Sequence, residues 1–253
     1  MARTARTRRG RLEGRRVVLI GGTSGIGLAT ARLAMDEGAS VVVASRTPGR
    51  LKEAARALGP DAQCLKLDGK RESDVKAFFK RVGRFDDLAI LIPGATDKTQ
   101  QKRLGTLAKT DVAVARTVHE GKFWSSVYGA KHALPYLSAR GSITFCSGVS
   151  PRKAIPGYWA PTTAIAALEA LSRVLAVELA PIRVNCVGPG LIATPIMDTL
   201  SPARRRVWAK MLKRQPIKRM GTPEETAEAM VYCMSNGYTT GTLVEIDGGY
   251  KFT

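Results

Sequence analysis

Three groups of residues in this chain have the types and spacing to do chemistry. The first is Ile20-Gly21-Gly22-Thr23-Ser24-Gly25-Ile26-Gly27. Residues without a Cβ let a backbone turn approach a pyrophosphate, and the start of a following helix offers free amides and a positive dipole end. The second is Ser45-Arg46, a hydroxyl beside a guanidinium that can grip a phosphate with two parallel hydrogen bonds. The third is a set of proton-carrying side chains further along: Lys122, Ser147 and Tyr158, with Cys146 and His119 beside them.

These residues are useful only if elements of the right kind hold them. Val17-Val18-Leu19-Ile20 is a short apolar run that ends in the glycine turn and reads as a buried parallel strand. Leu28 to Glu37 continues as a helix closed by Gly38, and Val41 to Ala44 is a second strand. Thr47-Pro48 opens a helix with a capping residue and a first-turn proline. The alternation goes on with strands at Gln63–Leu67, Leu88–Ile92, Ser142–Phe145, Ile182–Val187 and Leu243–Ile246. Helices are expected at Ser73–Val82, over a long Asp111–Leu137 stretch, at Thr162–Leu179 and from the capping box Thr222-Pro223-Glu224-Glu225. Strands separated by helices imply right-handed crossovers and one doubly wound parallel sheet covered on both faces. The expected division is a basic, disordered arm over residues 1–14 and a single α/β domain over 15–253.

Composition narrows the classes. The chain has 253 residues, 44% of them apolar, enough for one sizeable core. No apolar run approaches the roughly 18 residues that cross a bilayer, and no membrane partner is expected. Four widely spaced cysteines, without a C-x-x-C pair, argue against a metal site or a disulfide framework and suit the cytoplasm. The formal charge is +19, and Met1 to Arg16 alone carries seven arginines against one acid. Such a field attracts polyanions, but no aromatics interleave with the arginines, so nucleic acid is not the expected partner.

The glycine turn follows a strand and opens a helix at the first crossover, the context that makes the pattern specific for a dinucleotide. An acid at the end of the second strand would hold a ribose 2′-hydroxyl; the chain has Ser45-Arg46 there, which favours NADP(H) over NAD.

The glycine turn, Asp68 after the third strand, Ser147, Arg183-Val184-Asn185-Cys186-Val187-Gly188-Pro189-Gly190, Thr194-Pro195 and Asp247-Gly248-Gly249 together resemble one family. From about Arg15 to Lys251 the chain is similar to short-chain dehydrogenases/reductases. The resemblance implies NADP(H) held by Gly21, Thr23, Ser24, Gly25, Ile26, Gly27, Ser45, Arg46, Asp68 and Gly94. Pro189, Gly190 and Ile192 would border the nicotinamide, and Thr194 would bind its carboxamide. It also implies a homotetramer or homodimer built on the helices at Asp111–Leu137 and Thr162–Leu179.

The same resemblance calls for an asparagine, a serine, a tyrosine and a lysine, and only Ser147 matches. About thirteen residues on, where Tyr-x-x-x-Lys is due, the chain reads Tyr158-Trp159-Ala160-Pro161-Thr162-Thr163-Ala164-Ile165. One register puts Pro161 and Ile165 at the pair, the other Ala160 and Ala164. Val118 stands at the asparagine position. Lys122, four residues later on nearly the same helical face, and Tyr158 are the candidate substitutes, with His119 behind them.

Residues 201–221 fall where the family keeps its substrate-covering helices. This stretch carries Arg204, Arg205, Arg206, Lys210, Lys213, Arg214, Lys218 and Arg219 with no acid between Asp198 and Glu224. An acidic or carrier-protein-bound substrate is expected. Three activities stay open: an NADP(H)-dependent oxidoreductase with an atypical active site, a non-redox cyclase, isomerase or lyase on the same fold, and a catalytically silent NADP-binding partner subunit.

Overall fold

The computed structural model describes residues 10–93, 103–199 and 202–253. Seven strands form one parallel sheet in the order β3-β2-β1-β4-β5-β6-β7. They are β1 (Arg16–Ile20), β2 (Ser40–Ser45), β3 (Ala62–Lys66), β4 (Phe85–Ile90), β5 (Leu137–Cys146), β6 (Arg183–Pro189) and β7 (Leu243–Ile246). The helices are α1 (Gly25–Asp36), α2 (Pro48–Leu58), α3 (Glu72–Val82), α4 (Val112–His119), α5 (Ser125–Ala133), α6 (Trp159–Glu178), α7 (Pro202–Arg214) and α8 (Pro223–Ser235). The order reverses at β1, which pairs with β2 on one side and β4 on the other, so a crevice opens above its C-terminal end.

Period-two alternation sorts the strand side chains onto two faces. Val18, Ile20, Val42, Leu88 and Ile143 join Phe78, Phe79 and Leu168 on one side; Val17, Leu19, Val41 and Val43 join Ala31, Ala34, Met230 and Met234 on the other. The capping box expected at Thr222 is formed: its hydroxyl accepts from Glu225 N at 3.2 Å, and the Glu225 carboxylate accepts from Thr222 N at 2.8 Å.

Two expectations are corrected. The arm does not extend to residue 14: Leu12 is fully buried against β1 and α1 partners, its amide donates to Glu37 O, and Arg11 pairs with Glu37 and Glu228. Residues 1–9 lie outside the described residues. The long helix over Asp111–Leu137 is also broken. A π-helical turn, Glu120–Trp124, separates α4 from α5, and Leu137 already belongs to β5. Such a turn spends an extra residue and re-aims the side chains in it; here Gly121 and Lys122 are both buried.

At the opposite end of the sheet Asp87 is fully buried. It accepts from Arg15 Nη2 at 2.7 Å and from Ser142 Oγ at 2.6 Å, while Oδ2 has no partner among the described residues. Helix α6 is long and apolar enough, by length and composition, to cross a membrane. It is the crossover between β5 and β6, with Ala160, Ala164, Leu168, Glu169, Ser172 and Ala176 packed inward. Its outer face exposes Val174 and Val177.

Candidate active site

The glycine turn leaves β1 and enters α1 with no room for side chains. A Cβ on Gly27 would lie 2.1 Å from Gly21 O, and one on Gly21 would lie 2.7 Å from Leu91 O. Gly21 also holds φ at 95°, a conformation that favours glycine. Ser24 is extended and makes no side-chain capping bond, so it does not occupy the amide end of α1. Gly25 is overhung by Thr194, whose Cγ2 lies 3.0 Å from the place of a Cβ, which brings the loop after β6 over the turn.

The other expected cofactor residues gather along the same edge. Leu67 N donates to Ser45 O at 3.0 Å, setting the ends of β2 and β3 side by side. Ser45 Oγ accepts from Thr47 N at 3.4 Å, Arg46 is exposed, and Asp68 Oδ1 accepts from Lys70 N at 3.2 Å. Gly190 N donates to Ile246 O, and Ile192 bridges to Gly221. Gly94 lies outside the described residues. The cradle, the uncapped helix end and the exposed guanidinium fit a phosphorylated dinucleotide.

The proton-carrying residues are placed differently from expectation. Ser147 is buried, and its hydroxyl donates to Glu169 Oε1 at 3.1 Å and lies 3.3 Å from Val187 O. Glu169 is in turn held by Arg152 Nη2 at 2.7 Å, and Arg152 Nε donates to Glu245 Oε1 at 2.9 Å, beside Lys251. Ser147 is thus committed, through the buried Glu169, to a partly buried ion network between α6, β6 and β7. The next residue, Gly148, faces the other way: a Cβ there would lie 3.3 Å from Ile165 Cδ1. Counting thirteen from Gly148 gives Pro161, one turn before Ile165. Ala160 and Ala164, the other register, are buried in the core.

Lys122 is buried, and its ammonium donates to Ile92 O at 3.1 Å and Cys146 O at 2.5 Å, at the C-terminal ends of β4 and β5. Burial pulls its pKa below the usual lysine value. Val118, one turn earlier, is also buried. Cys146 is buried, and burial raises its pKa, which disfavours the thiolate. Tyr158 caps α6 and lies near enough to Tyr250 to help raise that phenol's pKa, after the larger effect of burial. His119 points elsewhere: its Nε2 is 3.0 Å from Thr163 Oγ1, in a groove of about 470 Å³ on the outer side of α4 and α6. Tyr250, Gly148 and the Arg152–Glu169–Glu245 network were not singled out from the sequence. The thirteen-residue spacing to Pro161 was the available signal for Gly148.

A sequence profile described as Enoyl-(Acyl carrier protein) reductase matches residues 21–251. The chain belongs to the short-chain dehydrogenase/reductase family. Within it, the chain is 36% identical over 243 residues to a cis-4-hydroxycyclohexanecarboxylate dehydrogenase of Sinomonas cyclohexanicum, covering 92% of this chain and 95% of that one. A crystal structure of a small-chain dehydrogenase in complex with NADPH superposes with a TM-score of 0.80 at 32% identity, covering 94% of this chain and 99% of that one. The short-chain dehydrogenase/reductase malC of Malbranchea aurantiaca is 31% identical, covering 97% of this chain and 98% of that one. Its structure, described as MalC Reductase/Diels-Alderase, gives a TM-score of 0.86 at 28% identity, covering 97% and 99% of the two chains.

Proposed function

We propose that this short-chain dehydrogenase/reductase is an NADP(H)-dependent oxidoreductase that reduces acceptors needing no proton from a protein phenol. The observation that carries the reading is the contrast between two halves of one site. The nucleotide half keeps its closely packed glycines, an uncapped α1 and the exposed Arg46. The chemical half presents Val118, Gly148, Pro161 and Ile165, with no hydroxyl, phenol or ammonium among them.

NADPH, when bound, supplies the hydride. Gly21, Thr23, Ser24, Gly25, Ile26 and Gly27 let the phosphates approach the backbone; Ser45 and Arg46 select the 2′-phosphate, and Asp68, Pro189, Gly190, Ile192 and Thr194 orient the two ends. Lys122 ties the ends of β4 and β5 together through its bonds to Ile92 O and Cys146 O. The apolar positions exclude water from the reacting carbon. An iminium ion accepts hydride with no proton at all. An activated enone accepts it at carbon and takes the balancing proton from solvent. The net change is acceptor plus NADPH plus a proton (none for the iminium) giving reduced acceptor plus NADP⁺. The basic α7 supports an acidic acceptor or one carried on an acidic protein, and the relative that acts on a hydroxycyclohexane carboxylate agrees with that class. The exposed Val112, Trp124, Val174 and Val177 on α4, the π turn and α6 support a homo-oligomer.

The test is a titration of nucleotide-stripped protein with NADPH and NADH by nicotinamide fluorescence, followed by NADPH oxidation with iminium, enone and ketone acceptors. NADPH-selective binding with oxidation by the first two classes is expected; absence of nucleotide binding rejects the reading. A second reading, non-redox cyclisation, is favoured by the same apolar quartet and by the Diels-Alderase relative. It requires turnover with no change in nicotinamide absorbance.

A further inference from the structure

Helices α2 and α3 are basic, and each carries acids of its own: Glu53 in α2, Glu72 and Asp74 in α3. Helix α7 has none, and no acid occurs between Asp198 and Glu224. Its first turn, where a carboxylate would suit the helix dipole, carries Arg205 instead. Arg206, Lys210 and Lys213 stand at i, i+4 and i+7, which sets them in one row about 10 Å long. All three are exposed, as is Arg214 beside them. Among the described residues no ion pair or hydrogen bond engages these four side chains. Like charges at such spacings weaken a helix rather than support it. The row therefore costs α7 stability until a countercharge meets it.

The opposite face of α7 is committed to the body. Trp208, Met211 and Leu212 pack against Val149, Leu191 and Tyr250. Val149 follows Gly148, and Leu191 follows Gly190, so α7 rests on the two turns that carry these glycines. A partner on the outer row stands beside those turns.

The chemistry of the row selects among polyanions. A lipid surface takes up a helix through outward apolar side chains, and of the large ones in α7 only Val207 is exposed among the described residues. Single-stranded nucleic acid stacks on aromatic rings, and the aromatic residue of α7, Trp208, belongs to the inner face. A second helix with carboxylates at i, i+4 and i+7 matches the row charge for charge.

We propose that the outer face of α7 is a docking surface for an acidic helix of the protein that bears the acceptor. Arg206, Lys210 and Lys213 pair with its carboxylates, and Val207 and Arg214 flank the contact. The proposed function leaves open whether the acid is a free molecule or belongs to a carrier; the row assigns it to the carrier. Naming the acceptor's bearer rests on the oxidoreductase reading, whereas the docking itself can be measured without turnover.

The experiment uses the full-length protein with NADPH bound and two fluorescein-labelled, alanine-based helical peptides of equal charge. One carries three glutamates on a single face, at i, i+4 and i+7; the other spreads them around the helix, at i, i+2 and i+5. Fluorescence anisotropy reports binding. The wild type should hold the one-faced peptide about tenfold more tightly than the other. Arg206→Gln, Lys210→Gln and Lys213→Gln together should erase that preference. Lys76→Gln, Lys80→Gln and Arg81→Gln on α3 remove the same charge and should change the affinity by less than about twofold. The α7 variant should melt no lower than the wild type, because its like charges are gone. Equal binding of the two peptides, binding of neither, an equal loss in the α3 variant, or a lower melting temperature of the α7 variant would each overturn the assignment. So would tighter, α7-dependent binding of a DNA duplex or of phosphatidylglycerol vesicles. NADPH titration of the same protein separates the readings: if NADPH binds and the peptides do not discriminate, the docking inference falls alone. If NADPH does not bind, the oxidoreductase reading falls, and the peptide result still decides the docking.

Discussion

Gly148 and Ile165 face each other with only 3.3 Å between Ile165 Cδ1 and the place where a Cβ on Gly148 would sit. The contact joins the turn after β5 to α6, and in the proposed Pro161/Ile165 register it falls where a hydroxyl and an ammonium would stand. Gly148→Ser alone would crowd Ile165, which would have to yield by a few tenths of an ångström. Gly148→Ser combined with Pro161→Tyr and Ile165→Lys should raise NADPH-dependent reduction of simple ketones by about 10²-fold, the low end of what a positioned acid contributes. Steady-state NADPH oxidation measures it. No gain in a folded triple variant would mean that these positions do not face the acceptor.

Arg46 should govern the choice of nucleotide. Arg46→Ala is expected to weaken NADPH by about 10- to 100-fold, the worth of a charge-assisted hydrogen bond, with NADH unchanged. Fluorescence titration of both nucleotides checks this; a parallel loss for both would point to a folding defect.

Lys122 makes a separate prediction. Met fills similar volume but carries no charge, so Lys122→Met should slow hydride transfer by about tenfold while leaving NADPH affinity within about twofold. Single-turnover rates after premixing with NADPH report the step directly. Unchanged rates would reduce Lys122 to a strut between β4 and β5.

Asp87 should make stability depend on pH. Burial, opposed by Arg15 and then Ser142, pushes its pKa from 3.8 up to about 6. The folded state therefore holds the proton more tightly than the unfolded chain does. The stabilisation from this group is full below the unfolded pKa and is lost as pH rises through about 6. Melting curves should show a decline between pH 4 and 7 that Asp87→Asn flattens, with acidities in this range set by the two pKa values. The same slope in both proteins would assign it to other groups.

The cationic α7 should act through long-range attraction. Lys210→Glu with Arg206→Glu should raise KM for an anionic acceptor severalfold, leave a neutral analogue unaffected, and lose its effect near 1 M salt, where the Debye length is about 3 Å. Salt-independent loss would mean that these side chains pack rather than steer.

Much of this architecture was legible in the chain. Most strands follow an apolar run bounded by turn residues, although β3 is half polar and β5 starts five residues before its apolar stretch, and the helix at Pro223 begins at the capping box read from four letters. The Asp111–Leu137 stretch misled because its apolar spacing does not reveal the extra residue spent in the π turn. The site suffered from a one-residue ambiguity of a similar kind. Ser147 carries the only hydroxyl in Cys146-Ser147-Gly148, and consecutive residues of an extended chain face opposite ways, so that choice turned the expected side chain inward. Glu169 bonds Arg152 across 17 positions and Glu245 does so across 93, distances over which local patterns carry no signal.

The Arg152 network fastens the turn after β5 to α6 and β7 with directional ion pairs. On the opposite side α7 meets the body largely through apolar contacts, with Tyr250 Oη donating to Met211 Sδ at 3.1 Å and Arg205 Nη2 to Asp198 O at 3.0 Å. Ion pairs are directional and resist displacement, whereas apolar surfaces slide. The α7 flank is therefore the more easily displaced of the two, because fewer directional bonds hold it to the body.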